Sequence, residues 1–231
     1  MQLTVTRQES VVRSFFARTY SWMFAGLLLT AAIAYFTTQS PAMLQFARSS
    51  ILLLLVVELG IVAALSFLIQ RVSSLVASVL FMVYAAVNGL TFSLILLRYD
   101  PGAVTAAFVT TAGMFGVMSL FGYLTRINLT RFGSIFLMAL VGLVITSIVN
   151  IFVVSGPLSF IISLVGVVLF ALLTAYDTQR LREIALSGTF GEVHSETGEK
   201  LAVFGALSLY LDFINMFLFL LRLFGGGGSR N

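Results

Sequence analysis

Seven long apolar runs dominate this chain and leave it few ways to fold. They fall at roughly Tyr20–Phe36, Ile51–Ile69, Leu75–Leu97, Ala103–Leu124, Ser134–Val154, Leu158–Tyr176 and Leu201–Leu223. A helix needs about 20 mostly apolar residues to cross a bilayer. In hydrocarbon every backbone N–H and C=O must be satisfied within the protein, so spans are helices or closed barrels. Barrel-type alternation is absent here, and barrel strands run to only about 10 residues. The reading is an all-α polytopic membrane protein with seven transmembrane helices joined by short connections. It forms one domain over residues 20–223, with a cytoplasmic segment before it (1–19) and a flexible tail after it (224–231).

Composition narrows the function classes. Of 231 residues, 59% are hydrophobic and 10% charged, against about 25% charged in soluble domains. The chain has no cysteine, which excludes a disulfide scaffold, a thiolate metal site and a cysteine nucleophile. Its single histidine argues against a multi-histidine metal site. The net charge of +4 is spread over arginines standing singly between apolar runs, so no basic patch points to nucleic acid. No bound cofactor is expected, and the lipid bilayer is the one partner that composition implies.

Basic residues set the direction of insertion. With the N-terminus inside, Arg7, Arg13, Arg18, Arg71, Arg126, Arg131, Arg180, Arg182 and Lys200 are cytoplasmic, and Arg48, Arg98, Arg222 and Arg230 are outside. Nine against four favours this orientation; seven spans then put the C-terminus outside, and a re-entrant last run would return it inside. The first run is too long for a signal peptide and no small-x-small cleavage site follows it, so it is read as a retained span. Before it, Val12, Phe15, Phe16, Thr19 and Trp22 recur at helical spacing. They form either an interfacial approach helix or a plain extension of the first span. Short loops and the lack of cysteine fit a bacterial inner membrane. Asn128-Leu129-Thr130 matches the glycosylation pattern but faces the cytoplasm on this topology. No strict internal repeat supports an inverted-repeat transporter.

Three carboxylates fall inside the apolar runs or at their ends: Glu58, Asp177 and Asp212. A carboxylate at the bilayer centre costs roughly 2.5–3.5 kcal/mol on insertion scales, so such residues face the protein interior and have a task. After Asp177, Leu181, Ile184 and Ala185 keep a helical pattern, and Gly188 is the first stop signal. The sixth helix therefore runs two to three turns past Asp177. A hairpin centred near His194 would then place Asp177 and Asp212 at matching depth. At about 100° per residue, Ser208, Asp212, Asn215 and Arg222 share an arc of about 80° on the seventh helix, and Ser159, Ser163, Gly166, Thr174 and Asp177 share a similar arc on the sixth. The plainer account of the small and hydroxyl residues is helix–helix packing with hydrogen-bond glue.

Two close carboxylates resist double ionisation and titrate as a coupled pair. Sharing a proton, Asp177 and Asp212 form a neutral latch; deprotonated, they form a hard oxygen site for transient calcium. Proton and calcium compete, which is a physical basis for a pH-gated cation path. Glu58 lies roughly 10 Å of helix from the outer end of its span, and Arg222 near the outer end of the last, so the two are expected to form an outer clasp. In the alternative, Arg222 snorkels to the interface and Glu58 caps another polar group. Arg71 could tether Asp177, but a positive-inside anchor is the simpler role. The connection Gly188–Lys200, with Glu192, His194, Glu196 and Glu199, lacks the EF-hand spacing. It is read as a solvated loop; the alternative is a minor antenna for pH or calcium.

At these residues the chain resembles the Bax inhibitor-1 (transmembrane Bax inhibitor motif) family in its bacterial form. The resemblance rests on Phe170-Ala-Leu-Leu-Thr-Ala-Tyr-Asp177-Thr-Gln-Arg180 and on the stretch from Ala206 through Asp212 and Asn215 to Arg222. Leu120–Gly133 and the opening Val12–Tyr35 extend it over nearly the whole chain. It implies a seven-helix fold wrapped around a central last helix. It also implies a pH-governed calcium leak with Asp177 and Asp212 as the sensor and Glu58 and Arg222 paired on the outer side. The family pattern further implies a second-helix arginine, for which Arg71 is the candidate, and an aspartate where this chain has Asn128. Family members are linked to cell-death suppression and, in bacteria, to control of a membrane protease.

Other functions remain in play. A proton/calcium exchanger would use the same carboxylates, and a regulatory protein would bind a partner such as a membrane protease, with the aspartates purely conformational. An intramembrane aspartyl protease needs Gly-x-Gly-Asp before its second aspartate, where this chain has Leu209-Tyr-Leu-Asp212, and it lacks the Pro-Ala-Leu motif. A retinal protein needs a lysine within a helix, and Lys200 lies at a run's edge. No enzymatic activity is expected.

Overall fold

A computed structural model describes residues 2–68, 71–187 and 195–226, with side chains from Glu9 onward. The elements are α1 (Gln2–Gln39), α2 (Pro41–Ser49), α3 (Ile51–Leu68), α4 (Ser74–Leu96), α5 (Pro101–Leu124), a 3₁₀ turn (Leu129–Phe132), α6 (Gly133–Val153), α7 (Gly156–Leu186) and α8 (Glu196–Gly225). Among the described residues there is no strand. Seven of these helices are long and apolar enough to cross a membrane, in the order expected.

The helix boundaries follow from local chemistry. Pro41 opens α2 and Ser40 caps it, its hydroxyl accepting from the Met43 N–H at 3.4 Å. Pro101 opens α5 under an Asp100 cap that accepts from the Gly102 N–H at 2.7 Å. A proline loses nothing at a first helical position, because that N–H has no intrahelical partner. The turn from α6 to α7 is tied by Asn150, whose amide donates to Ser159 Oγ at 2.6 Å and whose oxygen accepts from the Ser155 N–H at 3.3 Å. Val154, in this turn, has φ 50°, a left-handed conformation that crowds a β-branched side chain.

Three expectations change. The residues before the first run belong to one uninterrupted helix, with Val12, Phe15, Phe16 and Thr19 buried, so the extension reading replaces the approach helix. The short helix α2 fills what composition suggested was a plain connection. Glu196, Glu199 and Lys200 lie in the first turns of α8 rather than in a loop. Ser195 begins that helix, its hydroxyl accepting from the Gly198 N–H at 3.1 Å. The two glutamates then meet the positive end of the helix dipole. Glu192, His194 and the tail 227–231 lie outside the described residues.

The chain divides into two compact units. The first holds α1–α4, the end of α7 and α8 as far as Tyr210. Its core includes Phe81, Tyr84 and Tyr210, with both ring pairs edge-on at 5.7 Å. Gly26 and Gly89 are where its helices pack too closely for a side chain: a Cβ on Gly26 would meet the Phe81 ring, and one on Gly89 would meet Ile33 and the Thr30 carbonyl. An ion pair, Arg18 to Glu199 at 3.0 Å, ties α1 to the start of α8.

The second unit holds α5, the 3₁₀ turn, α6, α7 as far as Leu181, and α8 from Leu211. Phe213 packs edge-on against Phe108 and Phe115, and Phe219 stacks on Phe170 over Gly166. On α6 the one buried residue is Leu143, so this helix is clothed by lipid. The last span is 72% buried, more than any other, as expected of a central helix.

Two substitutions test this packing. A Cβ on Gly122 would run into the Ala175 carbonyl, whereas Gly142 has nothing within 4 Å. Gly122→Ala is expected to destabilise the detergent-solubilised protein by roughly 1–3 kcal/mol, and Gly142→Ala to leave it unchanged or raise stability by up to about 1 kcal/mol. Val154→Gly, at a site 82% exposed, is expected to stabilise by about 1 kcal/mol through relief of the left-handed backbone. Thermal unfolding followed by circular dichroism reads all three.

Candidate functional site

The polar residues of α7 and α8 in the second unit divide by what their hydrogen bonds do. Thr174 donates to the Phe170 carbonyl and Ser163 to the Ser159 carbonyl, each at 2.8 Å. Asn215 donates to the Leu211 carbonyl, also at 2.8 Å. These donors are spent on their own helices, as intrahelical back-bonding allows. Ser208, which belongs to the first unit, is half-buried. Gly166 serves packing, because the Phe219 ring fills the space a side chain would need. That is the small-residue role.

The aspartates differ. Asp212 is 4% exposed, and its Oδ2 is buried with no hydrogen-bond partner. Asp177, half-buried on α7, lies within electrostatic reach of it. The Arg180 guanidinium, less than one turn further along α7 and exposed, acts on Asp177 in turn. About two and a half turns of helix follow Asp177, and more than four precede Asp212. The two helix segments are therefore unequal in length, and the symmetric hairpin estimate does not hold. The hydroxyls of Thr178 and Ser119 are also buried without a partner. A buried polar atom left unpaired calls for an explanation, such as a proton, an ion or a strained functional state.

Gln179, two residues after Asp177, is a part of this region that residue patterns did not single out. It is buried, and its amide clamps the connection between α5 and α6: Oε1 accepts from the Leu129 N–H at 2.6 Å and Nε2 donates to the Ile127 carbonyl at 2.7 Å. Asn128, between those two residues, is exposed and hydrogen-bonded to Thr130. The available signal was a glutamine within an apolar helix, which needs a partner for both its donor and its acceptor.

Glu58 belongs to the first unit and Arg222 to the second, and each is described in its own. Glu58 accepts from Thr91 Oγ1 at 2.6 Å, a partner that spacing did not suggest. Nearby on α4, Asn88 Nδ2 donates to Tyr84 Oη at 3.3 Å, and its Oδ1 is buried without a partner. Thr30 donates to the Ala85 carbonyl at 2.8 Å and shares a hydrogen bond of 2.7 Å with Tyr210. The Arg222 guanidinium lies 5.5 Å from the centre of the Phe219 ring, within cation–π range. Arg71 is exposed at the end of α3, where an interfacial anchor belongs. Among the described residues, no group of three or more His, Cys, Asp or Glu could hold a metal ion.

Comparison with known proteins gives matches over nearly the whole chain. A family model described as "Inhibitor of apoptosis-promoting Bax1" matches residues 12–230. An uncharacterized protein of Deinococcus radiodurans is 50% identical over 232 residues, covering 100% of this chain and 97% of the relative. The inner membrane protein YbhL of Escherichia coli is 40% identical over 225 residues, covering 96% and 95%. An uncharacterized protein of Borreliella burgdorferi is 38% identical over 229 residues, covering 97% of each chain.

The Gln179 clamp has a direct test. Gln179→Ala leaves the Leu129 N–H and the Ile127 carbonyl without their partner. The local cost is expected to be roughly 1–3 kcal/mol, so amide hydrogen exchange at Leu129 should speed up by about tenfold or more. Unchanged exchange would mean that the clamp does not hold the connection.

Proposed function

The chain belongs to the family of inhibitors of apoptosis-promoting Bax1, and on that premise we propose that it is a pH-sensitive calcium leak channel gated by protonation of Asp177 and Asp212. The observation that carries the reading is the Asp212 carboxylate, buried on the most buried span with one oxygen unpartnered. A charge there is costly unless a proton or a cation neutralises it. The YbhL relative is described as an inner membrane protein, and that location is proposed for this chain.

The gate works by exchange of one neutralising partner for another. With a proton on the pair, the net charge is that of a single carboxylate and α7 and α8 stay closed. Loss of the last proton leaves two negative charges in a low-dielectric site. They repel, loosen the helix pair and present hard oxygen ligands of the kind calcium prefers. The open state binds fewer protons than the closed one, so by linkage its population rises with pH. Because the trigger is one proton, the steepest response is about tenfold per pH unit.

Calcium flux into liposomes containing the purified protein, compared between about pH 6 and about pH 8, tests this, with the sign of the response set by linkage. The wild type is expected to conduct more as pH rises. Asp177→Asn and Asp212→Asn, which fix one member neutral at nearly constant shape, are expected to give a low flux independent of pH. A pH response preserved in either variant would overturn the shared-proton gate. No flux from folded protein at any pH would overturn the channel reading. Proton counterflow in fixed ratio to calcium would replace the leak with an exchanger.

A further inference from the structure

Arg48, at the end of α2, and Arg98, just past α4, line one cleft of about 400 Å³ floored by Ile51, Leu94 and Leu97. Both arginines are exposed, and among the described residues neither has a carboxylate within ion-pair distance. Asp100, the acidic residue nearest to Arg98 in sequence, is engaged in capping α5. A second cleft, of about 680 Å³, also has Arg48 in its wall, together with Thr38, Gln39, Gln45 and Ser49. Pro41 and Leu44 complete that wall, so Arg48 is shared by two clefts, each of mixed polar and apolar lining.

We propose that this corner of the first unit binds the phosphate group of an anionic membrane lipid between Arg48 and Arg98. The chemistry of each part fits one portion of such a molecule. Two guanidinium groups suit a phosphate, which accepts paired N–H donors. The hydroxyls and amides of the adjoining cleft suit a polar headgroup, and the Ile51, Leu94 and Leu97 floor suits the start of an acyl chain. The apolar floor favours a lipid over free phosphate. Met43 and Phe46 are exposed on α2, as on a helix lying in the membrane interface. Charge placement points the same way. With the N-terminus cytoplasmic, both arginines are on the outer face, where the positive-inside bias disfavours them. A bound anion supplies the counter-charge that the protein does not.

Native mass spectrometry of the full chain in neutral detergent, titrated with phosphatidylglycerol, phosphatidylcholine or inorganic phosphate, tests the site. Phosphatidylglycerol is expected to bind about thirtyfold more tightly than phosphatidylcholine, the product of two arginine contacts at a membrane surface. Arg48→Gln/Arg98→Gln is expected to remove that preference. Arg126→Gln/Arg131→Gln, which takes the same charge from the connection after α5, is expected to keep it. The proposal is overturned by a preference that survives Arg48→Gln/Arg98→Gln, by equal loss in both double variants, or by no preference in the wild type. Displacement of the lipid by inorganic phosphate at comparable affinity would assign the cleft to free phosphate and overturn the lipid assignment. The assay reads binding alone, so its outcome is independent of the calcium reading.

Discussion

In hydrocarbon a polar group must find its partner within the protein, and the last helix is where this constraint presses hardest. α8 is the most buried span, yet it carries Tyr210 and Asp212 within two residues of one another. Tyr210 meets the constraint through Thr30 at 2.7 Å. Asp212 leaves one oxygen unpaired. A buried tyrosine hydroxyl with a partner is structural glue. A buried carboxylate oxygen without one is costly unless a proton or a cation neutralises the charge, and the proposed gate rests on that cost.

Several of the polar groups in the same unit as Asp212 lie on α7. α7 carries Asp177 two residues before Gln179, whose amide holds the connection between α5 and α6 at both a donor and an acceptor. Earlier on α7, Ser163 and Thr174 spend their hydroxyls on their own helix, and Gly166 lets the Phe219 ring approach closely. One helix thus combines tight packing, a loop clamp and a charged group. A change in charge at Asp177 would be felt by the clamp through a very short stretch of rigid backbone.

Arg48 and Arg98 illustrate the same rule from the other side. A surface charge in water is satisfied by solvent. A surface charge at a membrane interface has lipid headgroups as its solvent, so an unpaired arginine there reads as half of a contact. Arg48 and Arg98 share one cleft with Ile51, Leu94 and Leu97, and the proposed lipid phosphate would be the other half of that contact.

The sequence by itself determined the helical class, the seven spans, the two aspartates and the extension of α7 past Asp177. Each follows from local composition: span length, period and stop signals act on neighbouring residues, and a lone carboxylate in an apolar run stands out against its surroundings. The start of α8 was also written locally, in Ser195 followed by Glu196 and Glu199, but an acidic stretch there reads as loop when the capping serine is overlooked. Only the tertiary structure decided the rest. That Thr91 meets Glu58, that Gln179 reaches Ile127 and Leu129, that Thr174 and Asn215 are spent on their own helices, and that Arg48 and Arg98 line one cleft all depend on which helix faces which. In a chain whose apolar residues run all round most helices, hydrophobic pattern no longer marks the inner face. Close approach at Gly122 and Gly166, and the pairing of buried polar atoms, mark it instead, and both exist only once the helices have packed.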